Sequence, residues 1–215
     1  SERPERGQQG CPPPHSINPA SACHSIRTRH QEPFRACANT SCDDVRHPPN
    51  EVVSSYFSMA LDTTERLWNV FRSYELKTSG QTHKCVYERK LSLQGTDYNC
   101  EHWYKHGSRW ERRALHGTLS EKPRGPELTV NDPSGKKKGE KVEHTLLLWK
   151  KKEHCAIFSF IDPNSGKREW NLYIWEKNLP KYSPAYPCEH EYDTLSHGAK
   201  KYQIYNELDC RFSFE

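Results

Sequence analysis

Residues 142–176 read VEHTLLLWKKKEHCAIFSFIDPNSGKREWNLYIWE, and this stretch decides the fold. The runs at 142–151 and 155–161 are short and apolar, which predicts the two arms of a β-hairpin. A turn over Asp162-Pro163-Asn164-Ser165-Gly166 then leads into a third strand at 169–176. The stretch therefore indicates an antiparallel sheet.

The same strand pattern continues toward the N-terminus. Alternation places Trp68, Arg72 and Tyr74 on one face of a strand, and it places Val86 and Glu88 together on another strand. In all, strands are predicted over 68–76, 85–93, 98–105, 109–119, 127–130, 142–151, 155–161 and 169–176.

About eight short antiparallel strands with glycine and asparagine turns favour an up-and-down barrel or a sandwich. A short helix is predicted within residues 51–66, before the first strand. After the last strand, a helix or irregular segment at 189–198 leads to an extended piece at 202–214. No internal repeat suggests a propeller or a solenoid.

Residues 1–50 differ from the rest of the chain. They contain four cysteines and many prolines but almost no hydrophobic periodicity, so they cannot bury a core of their own. Disulfides could hold such a segment in shape by closing its loops. We therefore predict two parts, a cysteine- and proline-rich N-terminal arm over 1–50 and a barrel domain over 51–215.

The nine cysteines predict an oxidising compartment. They are scattered without a CxxC pair, which favours disulfides over a zinc site. The sequon at Asn39 predicts glycosylation and agrees with a secreted, extracellular protein. No apolar run approaches the ~20 residues of a membrane span. None opens the chain either, so we expect any signal peptide to have been removed already or to lie outside this sequence.

Charge and motifs argue against other classes of protein. The formal net charge of +4 is well mixed, so we expect no nucleic-acid partner. The lysine run 136–138 is either a solvated turn or a docking contact for an acidic surface. No GxSxG, HExxH or phosphate-loop motif occurs, and His102 and His106 are interpreted as surface histidines. We expect no enzyme activity, no cofactor and no metal.

Two patterns carry a resemblance to a known family. Arg66-Leu67-Trp68-Asn69 runs into Arg72-Ser73-Tyr74, and Cys155-Ala156-Ile157 is followed by Asn171-Leu172-Tyr173 and then by Cys188 and Cys210. Over residues 51–215 the chain resembles the tick salivary lipocalins, the branch that includes histamine-binding proteins. The resemblance implies an all-β, eight-stranded antiparallel lipocalin-like barrel with a C-terminal helix. The arm would be a disulfide-rich extension of it.

The resemblance also implies two disulfides, Cys85 with Cys210 and Cys155 with Cys188. Among the five remaining cysteines we expect bridges within the arm set, Cys11, Cys23, Cys37 and Cys42. Cys100 would be left as a free thiol or would link to another cysteine. A bridge from Cys100 to the arm would hold the arm against the barrel.

Three binding hypotheses follow from the resemblance. In amine-binding relatives, acids occupy the positions that match Ala156 and Asn171 here, so both acids are missing. A lipid mediator would instead need Arg72, Arg89, Arg109 or His144 for its carboxylate. The candidate cavity-lining residues are Trp68, Tyr74, Phe158, Trp170, Tyr173 and Trp175.

The sequence favours the third hypothesis, a host-protein binder, because the two acids are missing and a rigid arm adds surface. The chain is predicted to suppress host defence by binding a complement component, with properdin or the fifth component as examples. The alternative is a scavenger of histamine, serotonin or a lipid mediator. The candidate partner contacts are Arg27, Arg29, Phe34, Arg35, Lys136, Lys137 and Lys138.

Overall fold

The computed structural model describes residues 44–45, 54–131, 141–181 and 185–211. Its strands are β1 (Asp44–Val45), β2 (Leu67–Arg72), β3 (Lys77–Thr78), β4 (Gln81–Gln94), β5 (Asp97–His106), β6 (Arg109–Lys122), β7 (Gly125–Asn131), β8 (Lys141–Lys150), β9 (Cys155–Ile161), β10 (Arg168–Trp175) and β11 (Tyr202–Gln203). Its helices are α1 (Ser54–Leu61), α2 (Glu189–Leu195) and α3 (Glu207–Arg211), with a single 3₁₀ turn at Glu176–Asn178.

Eight of these strands close into an antiparallel barrel. Hydrogen-bonded neighbours run in the order β2-β10-β9-β8-β7-β6-β5-β4, and β4 pairs back with β2 through Leu67↔Glu88 and Trp68↔Tyr87. The predicted barrel is therefore confirmed over the sandwich. An eight-stranded barrel is wide enough either for packed side chains or for one small ligand.

Bulges on β2 and β4 help to decide which residues of these two strands face the interior. On β2, Asn69 pairs with Tyr173 and Phe71 with Leu172, which leaves Val70 as an extra residue. On β4, the register shifts between Lys84 and Tyr87. A bulge inserts one residue and so reverses the alternation of faces beyond it.

Helix α1 closes one end of the barrel. Phe57, Ala60 and Leu61 are buried in the inner core, and the Phe57 ring stacks on Phe158 with ring centroids 5.2 Å apart. The Trp175 indole Nε1 donates a hydrogen bond of 3.0 Å to the Ala60 carbonyl, which fixes the helix to the end of β10. The opposite end of the barrel carries the loops after β2 and after β9.

A second core lies outside the barrel wall, where the C-terminal segment packs. Trp68 lies between Tyr87 and Tyr205, with ring centroids 4.8 and 4.9 Å away, and all three are buried. Two disulfides tie this segment down, Cys85–Cys210 to β4 and Cys155–Cys188 to β9. These are the two pairs that the family resemblance implied.

The C-terminal segment differs from its prediction in one respect. Helix α2 lies within the predicted 189–198 segment, but of the extended piece predicted at 202–214, the described part, 202–211, has only the two residues of β11 in a strand. Helix α3 follows because Asn206 acts as its N-cap: its side-chain Oδ1 accepts a 2.9 Å hydrogen bond from the Leu208 N–H. No helix in the described ranges is both long and apolar enough to span a bilayer.

The two disulfides should contribute unequally to stability. Cys85–Cys210 joins residues 125 apart and Cys155–Cys188 joins residues 33 apart. In the chain-entropy model, C85A/C210A should lower the free energy of unfolding by about 5 kcal/mol, and C155A/C188A by about 4 kcal/mol. Urea unfolding followed by tryptophan fluorescence measures both. An equal or larger loss from the shorter loop would contradict this order.

Candidate ligand-binding cavity

The barrel encloses a cavity of about 460 Å³, which opens toward the loops after β2 and β9. This volume lies within the ~300–1,000 Å³ typical of small-molecule sites. The end nearest α1 is apolar, and the residues that form it include Phe57, Leu61, Leu67, Leu128 and Phe158. The other wall residues are more polar, so the cavity has an apolar base and a polar middle.

An acidic group stands in the middle of the wall. Glu88 of β4 lies directly across from His102 of β5, and its Oε1 is 2.7 Å from His102 Nδ1. The Cys100 thiol donates a weak hydrogen bond to Glu88 Oε2 at 3.4 Å. The side chains of Glu88 and His102 are only 13% and 14% exposed. The carboxylate is therefore screened from bulk water and faces the cavity.

Tyrosines surround this carboxylate. Tyr74, Tyr98 and Tyr173 line the cavity, and burial raises the pKa of each hydroxyl. The negative charge of Glu88 adds to the rise in pKa at all three. Each tyrosine therefore stays neutral and lies within electrostatic range of Glu88. The site is thus an enclosed carboxylate with aromatic rings around it.

A polar network faces Glu88 from β2 and β10. The Asn171 Oδ1 atom accepts hydrogen bonds from Asn69 Nδ2 at 2.9 Å and from the Tyr74 hydroxyl at 3.1 Å. Asn69 and Asn171 are almost completely buried. These bonds satisfy one polar group of each amide, whereas the Asn69 Oδ1 atom is buried without a hydrogen-bond partner, which is costly in the interior. The network fixes the Tyr74 ring in the cavity wall.

Two histidines in the wall are held uncharged. Burial lowers the pKa of both His83 and His144 to about 4, and the positive charge of Arg72 adds to the effect at His83. His83 stacks on Tyr104 with ring centroids 4.2 Å apart, and His144 packs against Phe160 at 5.0 Å. At neutral pH these rings contribute polar surface without charge.

Only half of the predicted cavity-lining residues reach the cavity. Tyr74, Phe158 and Tyr173 line it, whereas Trp68, Trp170 and Trp175 do not. Trp68 and Trp170 point to the outer core, because they alternate with inward residues on β2 and β10. Trp175 shares the inward face of Tyr173, but helix α1 covers that end and Trp175 packs beneath it.

The acid that sequence analysis judged missing is supplied from another strand. Asn171 lines the cavity and Ala156 lies in the inner core, so the two family positions carry no charge. Glu88 provides the carboxylate instead. The signal was present in the sequence, since Glu88 alternates with Tyr87 and shares a face with Val86. Without the register of β4 against β5, that face could not be assigned to the interior.

The remaining residues predicted from the sequence lie in three kinds of place: the cavity wall, the exposed surface and the part of the chain outside the described residues. His102 is a cavity residue and His106 is only 13% exposed, so their interpretation as surface histidines is wrong. Arg89 is exposed outside the barrel and pairs with Glu101, and Arg109 is also exposed. The arm cysteines, the Asn39 sequon, the arm contacts and Lys136–Lys138 lie outside the described residues.

Cys100 is a free, buried thiol in the cavity wall. Burial raises the pKa of this thiol well above its usual range, and the charge of Glu88 adds to the effect. A bridge from Cys100 to the arm would require an arm cysteine inside the barrel. The one cluster with metal-ligand geometry in the described ranges joins Glu153 to Cys155 and Cys188, whose sulfurs are already bonded to each other.

A closed eight-stranded barrel with a helix at one end and an internal cavity defines a lipocalin-like binding protein. The particular family follows from the sequence: the family model described as tick histamine binding protein matches residues 57–211, and the chain belongs to this family. A search of curated proteins finds no match.

Solved structures resemble this chain at low sequence identity. The crystal structure of AM182 in complex with serotonin has a TM-score of 0.51 and 13% identity, and the match covers 80% of this chain and 97% of AM182. Japanin from Rhipicephalus appendiculatus bound to cholesterol has a TM-score of 0.45 and 17% identity, and the match covers 66% of this chain and 92% of japanin. Lobster apocrustacyanin A1 has a TM-score of 0.47 and 10% identity, and the match covers 81% of this chain and 97% of apocrustacyanin A1.

The buried histidines should make stability depend on pH. In the unfolded chain a histidine has a pKa of about 6.5, so between pH 6.5 and 4 the unfolded state binds more protons than the folded state. The free energy of unfolding should therefore fall as the pH is lowered through this window. His144→Gln should make the free energy of unfolding depend less steeply on pH, which urea unfolding at pH 7, 6 and 5 measures.

The matched control is His116→Gln on β6, where the side chain is 52% exposed. In this variant the free energy of unfolding should depend on pH as steeply as it does in the parent protein. A pH dependence that is the same for His144→Gln and the parent would show that His144 is not held neutral in the folded state.

Proposed function

We propose that this chain is a secreted scavenger that binds a small aromatic amine, such as histamine or serotonin, inside the barrel. The observation that carries the proposal is the enclosed carboxylate of Glu88 in a cavity walled by aromatic rings. An ammonium group supplies the positive charge that a buried carboxylate needs. The faces of aromatic rings attract the same cation.

Glu88 retains capacity to bind such a cation. A carboxylate offers about four acceptor positions, and His102 and Cys100 occupy two of them. Within the described ranges the ion-pair partner of Glu88 is His102, which is charged only when protonated, and no lysine or arginine pairs with this carboxylate. A ligand ammonium would therefore add a partner that carries a positive charge at neutral pH.

Two further findings support this proposal over a host-protein target. The family is named for histamine binding, and the AM182 structure, which shares the fold, holds serotonin. The disulfides Cys85–Cys210 and Cys155–Cys188, together with membership of this tick family, support a secreted protein. Such a carrier would act by lowering the free concentration of its ligand, with no chemical step.

Removal of the Glu88 charge tests the proposal. Glu88→Gln keeps the size of the side chain but removes the charge-assisted contact, which contributes about 1.5–3 kcal/mol. Affinity for histamine or serotonin in calorimetric titration should fall at least about tenfold. The control is Glu143→Gln, the same change at an exposed position of β8, which should bind as the parent does.

Equal affinities for Glu88→Gln and the parent would contradict the assignment of Glu88. Absence of amine binding to the parent protein would contradict the function itself. Thermal unfolding of each variant, measured in parallel, separates loss of binding from loss of fold.

The second candidate function is the binding of a host complement protein, predicted from the arm. The observation in its favour is that the family match begins at residue 57, so residues 1–50 and their four cysteines are an addition to the family barrel. A stapled arm would present contact surface with a low ordering cost.

A haemolysis assay of the alternative pathway with the full chain tests this candidate. The parent and Glu88→Gln should both reduce lysis, since the arm and not the cavity would make the contact. Unchanged lysis with both proteins would rule the complement function out.

A further inference from the structure

A second charged group, opposite in sign to Glu88, is buried in the wall of the same cavity. Arg72, the last residue of β2, is only 1% exposed and lines the cavity. Its Nη2 donates a 2.9 Å hydrogen bond to the His83 carbonyl, while its Nε has no hydrogen-bond partner. A guanidinium has five N–H donors and keeps its proton in proteins, so this side chain is under-satisfied.

The carboxylates around Arg72 do not neutralise it. No carboxylate in the described part of the chain lies within ion-pair distance of the guanidinium, and Glu75, which exerts an attractive charge on it, is exposed and pairs with Lys77 at 3.4 Å. The Tyr74 ring, with its centroid 5.2 Å from the guanidinium carbon, supplies a weaker cation–π contact. A buried charge without an ionic partner is strongly unfavourable, so the site calls for an anionic group from outside the chain.

The bulge on β2 explains why Arg72 faces inward. Trp68 before the bulge and Val70 within it point to the outer core, and after the bulge Arg72 and Tyr74 point to the cavity. Without the extra residue, Arg72 would continue the outer face and reach solvent or the C-terminal segment. The same irregularity therefore places both Arg72 and Tyr74 in the cavity wall.

Arg72 and Glu88 are separated along the barrel axis. Leu67 pairs with Glu88, and Arg72 lies five residues further along β2 toward the open end. At ~3.3 Å per residue, the backbone offset is at most about 16 Å, and two long side chains shorten the gap between the charges. Both charges act on the hydroxyls of Tyr74 and Tyr173.

We propose that the cavity is a two-pole site for an amphoteric ligand, whose ammonium binds Glu88 and whose carboxylate binds Arg72. The amine pole rests on the proposed function, whereas the Arg72 pole rests on its own burial and missing ion partner. An apolar or aromatic spacer would join the two ends and pack against walls such as Phe158 and Phe160. The bidentate fork of a guanidinium matches a carboxylate in geometry as well as in charge.

Three probes of equal chain length test the two poles separately: octylamine, octanoate and 8-aminooctanoate. In calorimetric titration of the full chain, 8-aminooctanoate should bind at least tenfold more tightly than either single-charge probe. The series from 4-aminobutanoate to 10-aminodecanoate should show an optimum length. This comparison uses the parent protein alone, so it does not depend on any variant folding.

Variants then assign each pole. Arg72→Gln should remove the advantage of 8-aminooctanoate over octylamine. Glu88→Gln should remove the advantage of 8-aminooctanoate over octanoate. Arg72→Lys keeps the charge and should retain part of the advantage. Arg109→Gln, which changes an exposed arginine of β6, is the control and should bind all three probes with the affinities of the parent.

The outcomes separate the two proposals. Octylamine and 8-aminooctanoate of equal affinity would overturn the two-pole site while leaving the amine function intact. Binding of octanoate without binding of any amine would overturn both. Simultaneous, independent binding of octylamine and octanoate would show two separate ligands and would also overturn the amphoteric ligand.

Discussion

The short pairing between β2 and β4 is the constraint on which the rest of this structure depends. Only Leu67↔Glu88 and Trp68↔Tyr87 join the two strands and close the barrel. Closure places Glu88 inside the barrel and Tyr87 outside it. The register of β2 against β4 therefore determines both the carboxylate of the cavity and the aromatic packing of the outer core. The outer side reinforces the closure, since Tyr205 packs on Trp68 and the Cys85–Cys210 disulfide holds the C-terminal segment to β4. A slip of one residue would exchange the two faces.

The interior of the barrel gives up stability where it could bind a ligand. A barrel of this size could be filled with apolar side chains, yet this one buries Glu88, Arg72 and two uncharged histidines around an open cavity. Buried charges without full partners are unfavourable in the empty protein. Sites that break the rules of core packing in this way are typical of functional regions, and stability elsewhere compensates for them. Here the helix α1, the outer aromatic core and the two disulfides provide that stability.

The strand pattern predicted the eight strands of the barrel and left a barrel or a sandwich open. The family resemblance implied the lipocalin-like barrel and both disulfides of the described chain. Neither predicted the side chains of the site. Trp68, Trp170 and Trp175 are apolar strand residues like Tyr173, and only the bulge after Asn69 and the cover provided by α1 separate those that reach the cavity from those that do not. Glu88 was overlooked because the acid was sought at the positions of Ala156 and Asn171. A carboxylate can reach the centre of a barrel from any strand, so its position in the sequence is not fixed by its role.

The central claim is that the Glu88 carboxylate holds a ligand ammonium inside the barrel. A crystal structure of the chain grown with serotonin tests this claim most directly. We expect the ligand nitrogen at hydrogen-bond distance, about 2.7–3.2 Å, from a Glu88 oxygen, with the indole ring against the tyrosines of the wall. Serotonin bound on the outer surface, or bound inside with its nitrogen directed away from Glu88, would contradict it.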